Sequence, residues 1–267
     1  MAATPALPLS SERSSAADHE AISYLPGGNE LCFGLEEDSF WFRHRSACIT
    51  AIVRRFPPPG VIYDVGGGNG FVARHLIDAG FATTVVEPGE AGARNARARG
   101  VENVVCATLN KGEFPSGTLP AVGLFDVLEH ISNETVFLAE VRRCLSPHGR
   151  LFLTVPAYSW LWSDDDAAAG HARRYTLASA HRTLRGAGFR PLYSSYFFSL
   201  LPAAIFAART LPSCGGRRAL PRHNYPALHR PRLSPLLERV WALELQRIAA
   251  GKVIPLGSSC LLVAEKL

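Results

Sequence analysis

Ten residues, Val61-Ile62-Tyr63-Asp64-Val65-Gly66-Gly67-Gly68-Asn69-Gly70, restrict the folds open to this chain more than any other part of it. A short apolar run holding one acid passes into a glycine-rich turn and then into Phe71-Val72-Ala73-Arg74-His75-Leu76. That is the pattern of a buried parallel strand, a tight loop and the first turns of a helix. Glycines 66, 68 and 70 permit positive φ and let a ligand approach the backbone. Taken alone, the pattern also fits any strand-to-helix turn. A second short strand, Thr83-Thr84-Val85-Val86, narrows it by ending in Glu87, close to the spacing at which an acid meets a ribose.

An acid at that place serves nicotinamide and S-adenosylmethionine (SAM) enzymes alike, so the loop has to separate them. A dinucleotide site spaces its glycines G-x-G-x-x-G and seats a pyrophosphate on the helix N-terminus. Here the order is Asp64-x-Gly66-x-Gly68-x-Gly70 with Gly67 inside it, and a carboxylate precedes the turn. That carboxylate repels a pyrophosphate and suits the ammonium of an amino-acid cofactor. A nicotinamide-dependent oxidoreductase is the alternative, disfavoured also by the lack of a Tyr-x-x-x-Lys pair. A binding module that keeps the pocket without turnover is a third reading.

The loop resembles the first motif of the class I SAM-dependent methyltransferases, and Phe125-Asp126-Val127-Leu128-Glu129-His130-Ile131 resembles their segment after strand four. The likeness runs from about Asp38 to Phe198. It implies a Rossmann-like, doubly wound sheet of seven strands, the last antiparallel between strands five and six. It also implies that Asp64, Gly66, Gly67, Gly68, Gly70, Glu87 and Asp126 hold SAM, with Glu87 on the ribose. An aspartate that commonly caps the adenine near Thr108 is missing, which leaves Thr108 and Leu109 with the backbone to hold that ring.

A chain of 267 residues, 47% hydrophobic and 19% charged, is globular and has room for one α/β domain with additions. Its six cysteines form no C-x-x-C pair, so a reducing compartment, the cytoplasm, is expected. The net charge of +5 comes largely from arginines near the C-terminus and argues for a local anionic contact, not for nucleic-acid binding. Expected boundaries are a disordered tail over 1–20, a helical lid over 21–59, the SAM-binding core over 60–198, a helical and basic insertion over 199–256, and a final strand over 257–267. In the lid, one helix from Leu31 to Arg55 carries the aromatic cluster around Trp41. A third strand is expected over Val101 to Leu109.

Between Pro156 and Thr176 the chain is too long for a simple turn and rich in Tyr158, Trp160, Trp162, Arg173, Arg174 and Tyr175. With Trp41, these are the residues expected to meet the acceptor. Gly170-His171-Ala172-Arg173-Arg174-Tyr175 resembles a run that recurs in a bacterial branch of the type 11 methyltransferases. In the insertion, an apolar segment followed by Arg209, Arg217, Arg218, Arg222, Arg230 and Arg232 fits either an anionic inner-membrane surface or packing on the sheet. The acceptor is therefore expected to be small or lipid-like and largely apolar.

For an acceptor hydroxyl a histidine is a suitable general base, and His130 and His171 are the candidates. Oxygen is the expected target, with carbon or nitrogen as alternatives. Asp126, Glu129, His130 and His171 also make a donor set for a divalent metal. Similar clusters are metal sites in ubiquinone-pathway O-methyltransferases and small-RNA 2′-O-methyltransferases, where the first acid is glutamate, not the shorter Asp126.

Overall fold

Near-continuous apolar runs build the sheet, and because successive side chains point to opposite faces, helices cover both of them. The computed structural model describes residues 28–109, 114–211 and 235–267. Its strands are β1 (Ile62–Val65), β2 (Thr83–Val86), β3 (Val104–Val105), β4 (Leu119–Phe125), β5 (Leu145–Pro156), β6 (Phe189–Phe197) and β7 (Ser259–Lys266). They form one sheet in the order β3-β2-β1-β4-β5-β7-β6. β7 pairs antiparallel with β5 and with β6, and the other pairs are parallel. This is the expected Rossmann-like sheet.

The helices are α1 (Gly28–Glu36), α2 (Phe40–Arg55), α3 (Phe71–Asp78), α4 (Glu90–Ala98), α5 (Glu134–Cys144), α6 (Asp164–Ala168), α7 (Leu177–Gly186), α8 (Leu201–Ile205) and α9 (Pro235–Ala249). On one face, Val122, Leu124, Leu151, Leu153 and Leu262 pack with Leu138 and Val141 of α5 and Ala180 and Leu184 of α7. On the other, Ile62, Phe152, Leu261 and Val263 pack with Ile49 and Ile52 of α2, Leu76 of α3, and Trp241 and Ile248 of α9. Asn133 caps α5 by accepting from Val136 N, and Thr176 caps α7 by accepting from Ser179 N.

Two expectations are corrected. The single helix over Leu31 to Arg55 is two helices, because Ser39 caps a new one and accepts from Phe42 N. The acids 36–38 therefore end α1 and bridge to α2, and do not open a first turn. The third strand spans only Val104–Val105, since just Val85–Val104 and Val86–Val105 pair along it. Of the predicted tail and basic tract, 1–27 and Arg217, Arg218, Arg222, Arg230 and Arg232 lie outside the described residues, as does the side chain of Arg209. No helix among the described residues is long and apolar enough to cross a membrane.

Candidate functional site

The carboxyl ends of β1, β2, β4 and β5 meet where the strand order reverses, which is where open α/β sheets gather their ligands. Gly66 adopts φ +72°, and a Cβ there would sit 2.8 Å from Val127 Cγ2. Gly70, also at φ +72°, lets α3 and α4 approach: a Cβ would meet that of Ala96 at 2.8 Å. Gly68 differs. At φ +51° its missing side chain points into open space, with nothing nearer than Asn29 Oδ1 at 3.8 Å. That opening is where a ligand can lie against bare backbone.

Two carboxylates border it. Glu87 accepts from Gly68 N at 2.9 Å and Gly89 N at 2.8 Å, one amide per oxygen, so each oxygen keeps a lone pair for a hydroxyl donor. Burial raises its carboxyl, opposed by those two amides. Asp64 is 1% exposed, and its Oδ2 has no hydrogen-bond partner among the described residues. Burial pushes it up to about 7, with Arg45 opposing and Glu87 adding to the rise. A buried, unpartnered carboxylate oxygen beside a bare glycine turn fits the ammonium end of an amino-acid cofactor.

The residues that tie α1 to this loop escaped sequence reasoning. Asn69 donates to Asn29 O at 2.8 Å and to Glu36 Oε1 at 3.2 Å. Arg99 bridges Glu36 Oε2 at 2.6 Å and Asn69 O at 2.9 Å, with its guanidinium over Phe33 and Phe71. Asn69 stands within the glycine motif and was the one available signal. Of the adenine candidates, Leu109 is buried in the core and Thr108 half-buried next to it.

At the end of β4, Asp126 takes a left-handed φ of 59°. Its Oδ1 accepts from Thr154 Oγ1 at 2.9 Å and its Oδ2 pairs with Arg45 Nε at 2.6 Å. Arg45, buried on α2, also bears electrostatically on Asp64 and Glu129, so its charge acts on both the glycine loop and the β4 end. The turn Leu128–His130 then turns Glu129 and His130 toward His171. The two imidazoles meet edge to face at 4.8 Å. Asp126 is not in this group: ligand atoms of Glu129, His130 and His171 lie within 4.8 Å of one another, while Asp126 is committed to Arg45 and Thr154. The four-residue donor set is thus corrected to three.

Burial, then the neighbouring His171, lowers His130 to about 4, and burial followed by Asp126 raises Glu129 well above the usual carboxylate range. Glu129 Oε2 lacks a hydrogen-bond partner among the described residues. His171 Nδ1 contacts Asp166 Oδ1 at 2.8 Å, so Nε2 is the ring nitrogen that this carboxylate does not engage. Asp166, 2% exposed, also accepts from Ser163 N and Arg174 Nε. Burial alone would raise it, but His171 and Arg174 outweigh that and hold it below its ordinary value.

The loop after β5 is fastened by three of the residues singled out for the acceptor. Arg173 pairs with Glu134 at 3.0 Å, Arg174 donates to Asp166 and to Ala157 O, and Tyr175 donates to Glu134 Oε2 at 2.6 Å. The aromatic members are more open. Tyr158, at φ 59°, stacks on Tyr196 and Trp160, and Trp160 meets Phe206 edge-on at 5.7 Å. Trp160 is 49% and Trp162 36% exposed. Trp41 stacks flat on Phe198 at 5.5 Å, with Arg45 over its ring.

Comparison with known proteins agrees with this geometry. A family model described as a methyltransferase domain matches residues 41–194, more than half of the chain. A probable S-adenosylmethionine-dependent methyltransferase of Mycolicibacterium smegmatis is 26% identical over 176 residues, covering 64% of this chain and 68% of that protein. Two solved structures share the fold. One is the complex of the Haloferax volcanii Trm112 methyltransferase activator with a methyltransferase (TM-score 0.56, 17% identity, 90% of this chain and 93% of that one). The other is Haemonchus contortus phosphoethanolamine N-methyltransferase 2 with S-adenosyl-L-methionine (TM-score 0.57, 18% identity, 91% of this chain and 58% of that one). The chain belongs to the methyltransferase-domain family and is a SAM-dependent methyltransferase.

Proposed function

We propose that this methyltransferase methylates a hydroxyl oxygen on a small, largely apolar acceptor held between the β4 end and the loop after β5. The observation that carries the reading is the line Asp166–His171–His130, in which a buried carboxylate holds one nitrogen of His171 and leaves the other for an acceptor. SAM supplies a methyl group already activated on a sulfonium, so orientation and exclusion of water are the protein's main tasks. Asp64 and the turn 66–70 hold its amino-acid end, Glu87 its ribose, and Thr108 and Leu109 border its adenine.

His171 Nε2 takes the proton from the acceptor hydroxyl, and Asp166 stabilises the imidazolium that results. His130, neutral with its pKa near 4, aligns the acceptor oxygen. Trp41, Tyr158, Trp160 and Trp162 offer flat apolar area to the acceptor, while Arg173, Arg174 and Tyr175 keep the loop in place. Exposed Phe206, edge-on to Trp160, extends that apolar area, and with exposed Leu200 and Leu211 of the same chain segment it favours a lipid-like acceptor met at an anionic membrane surface. Mass spectrometry of an extract given the protein and SAM tests the reading: an apolar metabolite should gain a methyl group on oxygen. Methylation confined to nitrogen would contradict it.

A second reading of the same three residues is favoured by the unpartnered Glu129 Oε2. Glu129, His130 and His171 fit a divalent cation, with Asp166 orienting His171 from behind. Such an ion would polarise the acceptor oxygen. Full activity after exhaustive chelation leaves His171 as the base; activity lost on chelation and restored by a divalent metal assigns the three side chains to the ion.

Two predictions concern the cofactor end. Glu87→Ala weakens SAM binding by about 1–3 kcal/mol through lost charged hydrogen bonds, read by calorimetry; unchanged affinity would put the ribose elsewhere. Asp64 is protonated in part near pH 7 in the free protein, and an ammonium beside it favours the ionised form. Binding then releases a proton, and affinity rises with pH until Asp64 is ionised in the free protein, levelling above about pH 7. Calorimetry in two buffers of different ionisation enthalpy measures the release, and pH-independent affinity would contradict it.

A further inference from the structure

Away from the cofactor and the acceptor, three side chains with metal-binding atoms meet at the seam between α2 and α9. His44 and Cys48 stand one turn apart on α2, and Glu244 faces them from α9. His44 Nε2 lies 2.8 Å from Glu244 Oε1 and 3.4 Å from Cys48 Sγ. One ligand atom of each residue lies within 4.8 Å of the others, and all three residues are buried.

Protons serve this arrangement poorly. The shared vertex is a single imidazole nitrogen, which carries either one hydrogen for Glu244 or one lone pair for the thiol of Cys48, never both. A cation at the centre serves all three groups at once. We propose that His44, Cys48 and Glu244 bind a divalent transition metal, with zinc the ion best matched to a nitrogen, sulfur and oxygen donor set.

Size, charge and surroundings agree. Tetrahedral zinc spaces such ligands about 3.3–3.6 Å apart, given its usual bond lengths. The His44–Cys48 separation already falls there, and His44–Glu244 has to open by about half an ångström. On binding, Cys48 gives its thiol proton to solvent as the sulfur–metal bond forms. Thiolate and carboxylate then neutralise the ion, so no net charge is buried. Phe198 N at 2.7 Å and Ser199 N at 2.8 Å donate to the two oxygens of Glu244 and fix its orientation, as outer partners do for metal-binding carboxylates. A surface groove lined by Phe40, Arg43, Ala47 and Trp241 reaches His44 and gives an ion a way in. Bound there, the metal joins α2, α9 and the left-handed turn at Phe198, whose ring stacks on Trp41.

Cobalt titration of chelator-stripped protein is the test, because among the described residues this is the one cluster that combines a thiol with an imidazole. The expected result is a thiolate-to-cobalt charge-transfer band that saturates at one equivalent. It should persist in His171→Gln and in Cys106→Ser and vanish in Cys48→Ser. Zinc should raise the Tm of the wild-type protein and leave that of Cys48→Ser unmoved. A wild-type spectrum without the band overturns the proposal even if the variant fails to fold, and so does a band that survives Cys48→Ser.

Discussion

Gly66→Val abolishes SAM binding. Two independent costs meet at this position. Its φ of +72° is a conformation that β-branched residues scarcely enter, and a Cβ would approach Val127 Cγ2 to 2.8 Å. Each is of the order of 1–3 kcal/mol, and relieving them moves the turn away from Asp64 and Glu87. The expected loss is therefore a hundredfold or greater in affinity, with a lower Tm, by calorimetry and thermal denaturation. Gly68→Ala separates the two effects. Its Cβ meets nothing nearer than 3.8 Å, so at φ +51° the change carries only the backbone cost of a left-handed alanine, about 1–2 kcal/mol, which the fold should bear while the methyl group enters the space assigned to the cofactor. A folded Gly68→Ala protein with undiminished affinity would move the cofactor off this turn.

Asp166→Ala should cost both stability and turnover. The carboxylate is 2% exposed and holds Arg174, whose side chain is 8% exposed, together with His171 and Ser163 N. Removing one partner of a buried ion pair strands the other, at about 3–5 kcal/mol. Without Asp166 the orientation of His171 is no longer held, so turnover should fall by roughly a hundred- to ten-thousandfold, the range that a general base contributes. Asp166→Asn keeps the size and divides the two losses: stability recovers in part, kcat does not. The same ion pair gives the protein an acid limit. A carboxyl held below its ordinary value contributes stability that is full above its unfolded pKa and disappears as pH falls through the folded one. Unfolding measured across the acid range should show that loss in the wild-type protein and less of it in Asp166→Asn.

The sheet was readable in advance because its signals are local. Val61–Gly70, the strand ending in Glu87 and the β4 segment ending in Asp126 each carry their own period and terminator, and the antiparallel placing of β7 followed from the family likeness. Where the reading failed, local signals competed. Glu36, Glu37 and Asp38 look like a helix start, yet Ser39 with its side-chain oxygen is the cap. The valine-rich run after Gly100 looks like a long strand, yet only two residues find partners in β2.

The candidate site was less open to reading, since its contacts span long distances along the chain. Arg45 lies inside an ordinary helical stretch, and nothing near it marks Asp126 as its partner. Asp166 is one of three consecutive acids, and only the fold singles it out by turning His171 and Arg174 onto it. Asp126, Tyr158 and Phe198 take left-handed backbone after three different strands, a feature that residues other than glycine do not announce. Such strained positions gather at binding sites, and here they surround the carboxyl end of the sheet.

A crystal structure of the protein with S-adenosylhomocysteine tests the central claim most directly. The account predicts the ligand's ammonium at Asp64, its backbone across Gly68, and its ribose hydroxyls on Glu87. A ligand bound elsewhere, with Asp64 Oδ2 still unpartnered and the space over Gly68 still open, would contradict it.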